Sequence, residues 1–318
     1  MDLSIIIINW NSVEFLRECL RSIFAQANDF SFEVIVLDNG SFDGSAEMLA
    51  DEFSEVRFIQ GEENLGFAKA NNLASQIALG KYLLFLNPDT EIRGRALILL
   101  VEAARTFPEG GAFGARLLNS DGTLQTSCIQ AFPTIRNQFL DSNCLRRLFP
   151  GSGLWGTAAL FTQSRAPESV EGISGACLLT RRGLFQQLGG FSERYFMYFE
   201  DMDYCLRCAK AGCRNYFVPA AEVVHHGGKS SGGEHSKFSS VMMVESAWRF
   251  FVKQHGSVWA ALFRVSVGLQ AGLRSLLLVV VLPVARLSGR PRRIVGALRK
   301  WVFVLRWAAG MESWASNR

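Results

Sequence analysis

Residues 3–12 read LSIIIINWNS, in which an apolar, β-branched run from Leu3 to Ile8 is followed by a polar segment. Such a run predicts a strand that is covered on both faces, as in a parallel sheet. The polar segment, residues 9–12, ends the strand, and Ser12 is placed to cap the next helix. The apolar face of that helix carries Leu16, Cys19, Leu20, Ile23 and Phe24 at helical spacing.

The same alternation of strand and helix continues for about 100 residues. Further strands are predicted at residues 32–37, 56–60 and 82–86, and helices at residues 45–53, 66–79 and 92–107. This order predicts an α/β fold with a doubly wound, mainly parallel sheet flanked by helices, whose ligands bind at the carboxyl ends of the strands. Beyond it we expect a hairpin around residues 119–122, an irregular insertion at 133–168, and strands at 173–180 and 216–219.

Composition and charge narrow the class of protein. The chain has 318 residues, of which 49% are apolar, so it can bury a substantial core and is not disordered. Seven cysteines at scattered positions favour a reducing compartment, and Cys205 and Cys208 are interpreted as packing thiols. No signal peptide precedes the first strand, so we expect the catalytic part to stay in the cytoplasm.

Polar clusters follow three of the predicted strands, at residues 9–11, 38–41 and 87–89. Asp38 can bond a nucleotide base or ribose, or it can stabilise its own turn, and the sequence leaves both open. Residues 64–72 open a helix where Gly66 allows close approach of phosphate or sugar hydroxyls and Lys69 can add charge. The candidate donor-binding residues are Asn11, Asp38, Asn39, Ser41, Asn64, Gly66, Lys69, Asn72 and Asn87.

The segment Asn87-Pro88-Asp89 is a candidate metal site. Proline cannot continue a buried ladder, so the chain must leave the sheet there and project Asp89 into the cleft. A carboxylate beside a diphosphate is a minimal site for Mg²⁺ or Mn²⁺. His225 or His226, just past a strand, could complete the coordination.

An acidic cluster in residues 195–205, YFMYFEDMDYC, follows a run of aromatic residues. We expect a short helix from this cluster to residue 211, with Asp201 on its buried face. Asp203 is expected to point away and to favour the helix N-terminus through the dipole. Glu200 and Asp201 are the candidate catalytic carboxylates, because a carboxylate beside apolar rings can be held as a base.

Together these motifs resemble the inverting, nucleotide-sugar-dependent glycosyltransferases of family 2, which have the GT-A fold, and in particular their bacterial rhamnosyl- and galactofuranosyltransferase-like branch. The resemblance covers residues 3–228. It implies that Asp38 binds the base or ribose, that Asp201 is the general base, and that His225 is a metal ligand. Asp89 matches the last position of the family's D-x-D motif, while Asn87 stands at the first, so a clamp of two carboxylates is absent.

The resemblance implies transfer of a sugar, rhamnose or galactofuranose, from a dTDP- or UDP-sugar to a cell-envelope glycan or polyprenyl-linked acceptor by metal-assisted single displacement. Residues 1–235 would form the catalytic domain, with a donor half (1–110) and an acceptor half carrying the base (111–235). One alternative is a membrane-tethered nucleotide-sugar-binding protein with weak or no activity, which Asn87 favours. A nucleotidyltransferase is the other alternative, but the expected Gly-rich phosphate loop is replaced by Asn9-Trp10-Asn11-Ser12.

The C-terminal residues 236–318 are interpreted as a helical, basic and apolar tail. From residue 259 onward the chain carries a net charge of +9, whereas the preceding part carries −5. Residues 265–285 are apolar but marginal in length for a transmembrane helix, and basic residues interleaved with Trp and Leu follow them. We expect a peripheral, in-plane anchor on the anionic cytoplasmic face of the membrane. Two alternatives stay open for this tail: a segment that spans the membrane, and helices that pack on the catalytic body or form a dimer contact. We expect no nucleic acid partner.

Overall fold

The structure is a computed structural model of the chain. It describes residues 1–26, 30–140, 166–227, 236–287 and 291–317, together with residues 142, 145, 148, 149 and 152. For residues 284–287 and 291–293 only the backbone is described.

The described residues contain strands and helices in the alternating order that the sequence predicts. The strands are β1 (Leu3–Asn9), β2 (Phe32–Asp38), β3 (Arg57–Gln60), β4 (Tyr82–Leu86), β5 (Thr90–Ile92), β6 (Gly110–Leu118), β7 (Ile129–Gln130), β8 (Glu168–Val170), β9 (Gly172–Ile173), β10 (Cys177–Arg181) and β11 (Arg214–His225). The helices are α1 (Val13–Phe24), α2 (Ser45–Glu52), α3 (Phe67–Gln76), α4 (Ala96–Thr106), α5 (Ile135–Leu140), α6 (Arg182–Gln187), α7 (Glu200–Lys210), α8 (Lys237–His255), α9 (Ser257–Leu287) and α10 (Pro291–Ala308).

One mixed sheet organises the molecule, with the strand order β3-β2-β1-β4-β10-β6-β11-β5 and β8 paired to β11. Strands β3, β2, β1 and β4 run parallel, while β10 is antiparallel to both of its neighbours. The carboxyl ends of β1, β2 and β4 therefore meet at one edge, where the polar clusters follow them. The predicted α/β class, with a doubly wound, mainly parallel sheet flanked by helices, is confirmed.

Alternate side chains of β1 enter two cores on opposite faces of the sheet, as the two-residue period of a strand requires. Leu3, Ile5 and Ile7 pack with α1, α2 and α4 on one face. Ile6 and Ile8 pack with α3, α6 and α7 on the other. This double burial explains why β1 has almost no polar residue before Asn9.

A third core joins the C-terminal helices to the catalytic body. Tyr195, Phe199 and Met202 pack in one cluster with apolar side chains of α8, α9 and α10, among them Phe250 and Trp307. The far face of α9 is exposed. Within the described residues one helix, Ser257–Pro283, is long and apolar enough to cross a membrane.

Several predicted elements differ from those observed. Residues 173–180 form two strands, β9 and β10, because the chain turns at residues 174–176, and β11 is much longer than the predicted 216–219. The turn at residues 119–122 is present, but its return arm pairs only once, Leu118 with Leu124, and β6 joins the main sheet instead. Most of the predicted insertion at 133–168 lies outside the described residues.

The predicted cap of α1 is wrong. Ser12 makes no side-chain cap, because its hydroxyl donates to Asn9 Oδ1 at 2.9 Å. The Val13 N–H instead donates to Asp43 Oδ2, also at 2.9 Å. A distant carboxylate therefore satisfies the first turn, which local spacing could not indicate.

Candidate active site

A cleft opens at the carboxyl ends of β1, β2 and β4, where the sheet geometry places a ligand. Backbone and side chains from three predicted motifs meet here, together with the turn before α7 and the start of α8. The lining residues are Ile8, Trp10, Asn39, Asn64, Gly66, Phe67, Asn87, Pro88, Asp89, Phe196, Met197, Tyr198, His225 and Phe238.

Asn39 and Asn64 tie the loop after β2 to the start of α3. Asn39 Nδ2 donates to Asn64 Oδ1 at 2.9 Å, while the Leu65 N–H donates to Asn39 Oδ1 at 2.9 Å. Gly66 follows with φ of +80°, and its missing side chain leaves room for Phe196, whose carbonyl oxygen accepts the Phe67 N–H at 2.6 Å. The wall that would hold the donor is thus attached to the turn that precedes the acidic cluster.

Asp89 and His225 converge at the base of the cleft. Asp89 is 3% exposed, and its Oδ1 lies 3.4 Å from His225 Nε2. Gln125 Oε1 can only accept, so at 2.7 Å from His225 Nδ1 it places the ring proton on Nδ1. His225 Nε2 faces Asp89 and the Asn87 amide, whose Nδ2 is 3.2 Å away, so in the neutral ring this nitrogen is free to accept.

This donor set fits a divalent cation. It supplies a carboxylate oxygen from Asp89 and an imidazole nitrogen from His225, whose other ring nitrogen is held by the side-chain amide of Gln125. Within the described residues no group of three or more His, Cys, Asp and Glu side chains forms a closed metal cage. The remaining positions would go to water and to a substrate phosphate, as Mg²⁺ and Mn²⁺ accept. The structure brings the two predicted ligands, Asp89 and His225, together.

The other predicted histidine is used elsewhere. His226 Nε2 lies 2.6 Å from Glu91 Oε1, and its Nδ1 lies 2.7 Å from Ser120 Oγ. It is therefore held outside the cleft, and only its backbone N–H contacts Asp89, through the carbonyl oxygen at 2.9 Å.

The acidic cluster begins α7 directly after a turn of unusual backbone. Tyr198 and Phe199 both have positive φ, +67° and +68°, which side-chain-bearing residues rarely adopt. Such residues persist where the surroundings hold them, and they concentrate at functional sites. The turn aims Glu200 and Asp201 back toward the sheet edge.

Asp201 is half-buried and held by backbone donors. Its Oδ2 accepts the Gly175 N–H at 2.7 Å, and its Oδ1 accepts the Met202 N–H at 2.7 Å. Burial raises the pKa of the Asp201 carboxyl, although both N–H groups act in the opposite direction. A raised pKa favours a role as a proton acceptor, and the role of Asp201 as the general base stays a prediction.

Glu200 is 5% exposed, and its Oε2 has no hydrogen-bond partner among the described residues. Burial, followed by the charge of Asp201, raises the pKa of the Glu200 carboxyl well above its usual value. A buried carboxyl with an unpaired oxygen lowers the stability of the fold. Such a group therefore calls for an explanation, and a functional role is one.

Asp201 does not line the cleft itself, but a short backbone bridge connects it to the metal-site residues. Gly175 donates to Asp201, while the carbonyl oxygen of the next residue, Ala176, accepts the Asn87 N–H at 3.0 Å. The turn between β9 and β10 therefore holds both halves of the predicted site at the same sheet edge.

Asp38 lies in a neighbouring depression with Phe42, Asp43 and Gln60, and Ser41 bonds to its carboxylate. Asp38 is 1% exposed, and its carboxylate accepts from Asn9, Gln60 and both the N–H and hydroxyl of Ser41. These bonds stabilise the loop after β2, in agreement with the interpretation that Asp38 stabilises its own turn. A role in binding the base stays a prediction.

Three further predicted donor-binding residues, in addition to Asp38 and Ser41, lie outside the cleft lining. Asn11 and Lys69 are exposed. Asn72 Nδ2 donates to the Phe191 carbonyl oxygen at 2.9 Å, and its Oδ1 accepts the Phe191 N–H at 2.8 Å. Asn72 therefore fixes the loop after α6.

The predicted orientation of Asp203 is wrong. Its side chain is fully buried rather than solvated, because it accepts hydrogen bonds from Tyr195, Arg207, Lys253 and Gln254. The dipole argument considered α7 alone, whereas α8 covers this face.

Sequence reasoning missed residues whose roles depend on distant packing. Gln125, which orients His225, comes from the loop after β6, and Phe238 reaches the cleft from α8. Trp10 offers a signal that could have been used, since it stands between two polar residues at the end of β1.

Comparison with known proteins identifies the family of the chain. Residues 4–189 match the family described as glycosyl transferase family 2. The N-acetylglucosaminyl-diphospho-decaprenol L-rhamnosyltransferase of Mycobacterium tuberculosis is 31% identical over 291 residues, which cover 87% of this chain and 92% of that protein. Rhamnosyltransferase WbbL of Escherichia coli K12 is 27% identical, with 70% of this chain and 82% of WbbL covered.

A solved structure shows the same fold. The mannosyltransferase PcManGT from Pyrobaculum calidifontis, in complex with GDP-Man and Mn²⁺, superimposes with a TM-score of 0.57 at 18% identity, covering 98% of this chain and 87% of that one. The predicted GT-A fold is thereby confirmed. Since the family match spans more than half of the chain, the chain belongs to glycosyl transferase family 2.

Proposed function

We propose that this enzyme transfers rhamnose, with inversion, from a nucleotide-diphosphate donor of the dTDP class to a polyprenyl-diphosphate-linked N-acetylglucosamine. The observation that carries the proposal is the 31% identity to a rhamnosyltransferase with this acceptor, extending over 87% of the chain. The cleft supports it, because it combines a cation site, a helix N-terminus and a neighbouring base. Galactofuranose from a UDP donor is the second sugar of the same branch.

On the donor side, the free N–H groups at the start of α3 and the open backbone of Gly66 are suited to a phosphate group or sugar hydroxyls. Asp89 and His225 would hold Mg²⁺ or Mn²⁺, which when bound neutralises charge on the leaving diphosphate. Asn87 orients His225 rather than adding a second carboxylate.

On the acceptor side, Asp201 takes the proton of the attacking hydroxyl. The acceptor oxygen forms a bond to the anomeric carbon while the bond from that carbon to the diphosphate oxygen breaks, and the proton ends on the Asp201 carboxylate. The raised pKa of Asp201 makes it a better proton acceptor than an exposed aspartate.

A lipid-linked acceptor requires the enzyme at a membrane. The exposed apolar face of α9 and the basic residues around α10 would place it peripherally on the cytoplasmic face. Arg274 and Lys300 both lie over the Trp301 ring, at 4.4 Å and 5.6 Å, as in an interfacial aromatic and basic cluster.

The test is transfer by the full-length chain in detergent, with Mn²⁺, a dTDP-rhamnose donor and an N-acetylglucosaminyl-diphospho-polyprenol acceptor. Asp201→Asn should lower kcat by at least about a hundredfold, because it removes the base, while calorimetry finds donor affinity unchanged. Asp51→Asn, on the exposed face of α2, is the matched control.

Mass spectrometry and NMR would identify the product and the configuration of the new bond. Full turnover by Asp201→Asn would remove Asp201 from the role. Donor binding by the wild type without transfer or hydrolysis would favour the inactive, tethered alternative.

A further inference from the structure

The buried carboxylate of Asp203 joins the catalytic helix to the C-terminal helices. Asp203 is fully buried, and Arg207 Nε donates to its Oδ2 at 2.8 Å from the same helix. Lys253 Nζ lies 2.8 Å from the carboxylate, and Gln254 Nε2 donates to Oδ1 at 2.9 Å. Two neighbouring residues at the end of α8 therefore complete the coordination of a carboxylate in α7.

The position of Asp203 on α7 gives these bonds a consequence for Asp201. Residues two positions apart on a helix project in roughly opposite directions, at about 200°. Bonds that hold Asp203 against α8 therefore fix the rotation of α7 about its axis. That rotation decides whether the Asp201 carboxylate meets the Gly175 N–H at the sheet edge.

A second set of contacts from α8 holds the turn that starts α7. Ser246 Oγ donates to the Met197 carbonyl oxygen at 2.7 Å. The rings of Phe199 and Phe250 lie 5.8 Å apart. These contacts hold Phe199 in its left-handed backbone conformation, directly before Glu200.

We infer that Lys253 and Gln254 are positioning residues for the general base, acting on Asp201 through Asp203. The inference rests on the proposed role of Asp201. It makes α8 part of the catalytic apparatus, in addition to any role of the tail at the membrane. Lysine is needed for its charge, because it contacts a carboxylate that is fully buried, while the glutamine supplies the adjacent neutral donor.

The test compares Lys253→Met with Lys253→Arg in the full-length chain. Lys253→Met should lower kcat about tenfold to hundredfold, since a small misplacement of a reacting group has an effect of this size, with donor affinity within about twofold of wild type. Lys253→Arg keeps the charge and should recover most of kcat. Arg17→Met removes an ion pair between α1 and α2, to Glu52, also at 2.8 Å, and should leave kcat unchanged.

An unchanged kcat in folded Lys253→Met would overturn the inference, and so would an equal loss in the Arg17→Met control. Loss of donor affinity at constant kcat would also overturn it. If Lys253→Met does not fold, Gln254→Met, which leaves both positive charges on Asp203, carries the same comparison.

Hydrogen exchange of residues 195–210 separates this inference from the proposed function. Lys253→Met should accelerate exchange in that segment, and Arg17→Met should not, whether or not rhamnose is the sugar transferred. Failure of the wild type to transfer rhamnose would contradict the proposed function alone, whereas unaltered exchange in Lys253→Met would contradict the positioning role.

Discussion

Two buried carboxylates in the first turn of α7 have opposite surroundings. Asp203 receives four side-chain donors, so its charge is compensated where water is excluded. Glu200 lies beside the Asp201 charge, and one of its oxygens has no partner. Desolvation without compensation disfavours the ionised form, which is why the pKa of Glu200 is raised. Glu200 therefore lowers the stability of this helix, and it lies at the candidate site.

The sign of this effect gives a stability prediction. A carboxyl with a raised folded-state pKa stabilises the fold below its unfolded pKa, and this contribution is lost as pH rises through the folded value. Glu200→Gln should therefore raise the free energy of unfolding near pH 8 and leave it nearly unchanged at pH 4. The difference should be about 1.4 kcal/mol for each unit of pKa elevation.

Chemical denaturation at the two pH values measures the difference. Glu55→Gln, an exposed position, is the control and should show no pH-dependent gain. A Glu200→Gln variant that is less stable than wild type at pH 8 would show that the Glu200 charge is compensated in solution.

At the scale of elements, the sequence predicted what depends on local periodicity. The strands β1, β2, β3 and β4 were placed within about a residue because their apolar runs end in polar clusters. The pairing of Asp89 with His225 followed from the rule that strand ends share an edge, together with the family's motif order. Elements whose length is set by their sheet partners were harder to predict from the sequence. For example, β11 extends to His225 because β5 and β6 pair along it.

The remaining errors have one physical cause, which is packing between distant segments. Asp203 was assigned to solvent because nothing in residues 195–211 indicates that Lys253 approaches it. Likewise, Gln125 and Phe238 contribute to the site from segments without a local signal. Periodicity reports which face of an element is apolar, but it does not identify the partner of a polar group.

The contact between α3 and the turn before α7 predicts the effect of a single methyl group. A Cβ at Gly66 would lie 2.3 Å from the Phe196 carbonyl oxygen, at a φ of +80°. Gly66→Ala should therefore lower the free energy of unfolding by about 2–4 kcal/mol, combining backbone strain with the clash. It should also weaken donor binding, because the cleft wall must shift.

Gly122→Ala separates the two causes, and urea denaturation measures both variants. Gly122 has a φ of +79° but no atom within 4 Å of the added Cβ, so its cost should be about 1 kcal/mol of strain alone. Equal destabilisation of the two variants would mean that the Phe196 backbone moves away from the added Cβ at Gly66 without loss of stability.

On the scale of the whole molecule, α9 has two apolar faces with different partners. Ala260, Phe263, Val267 and Ala271 are buried against the other C-terminal helices. The opposite face carries exposed side chains at three- and four-residue spacing: Val258, Leu262, Val265, Leu269, Leu273, Leu276 and Val280. Because its inner face is attached to the body, the first half of α9 is suited to lie in the membrane plane with this stripe inserted.

Replacing one leucine of this stripe tests the membrane role. Leu269 is 62% exposed, so Leu269→Glu should leave the fold intact. It should reduce binding to phosphatidylglycerol vesicles at least about tenfold, because burial of a leucine in the interface is worth roughly 2 kcal/mol. Leu79→Glu, at a 60% exposed leucine of the catalytic body, is the matched control and should bind as wild type does. Co-sedimentation with the vesicles at low and high salt measures the binding of both variants. Equal binding by Leu269→Glu and wild type would exclude this stripe as the face that contacts the membrane. The exposed leucines would then be available to another partner.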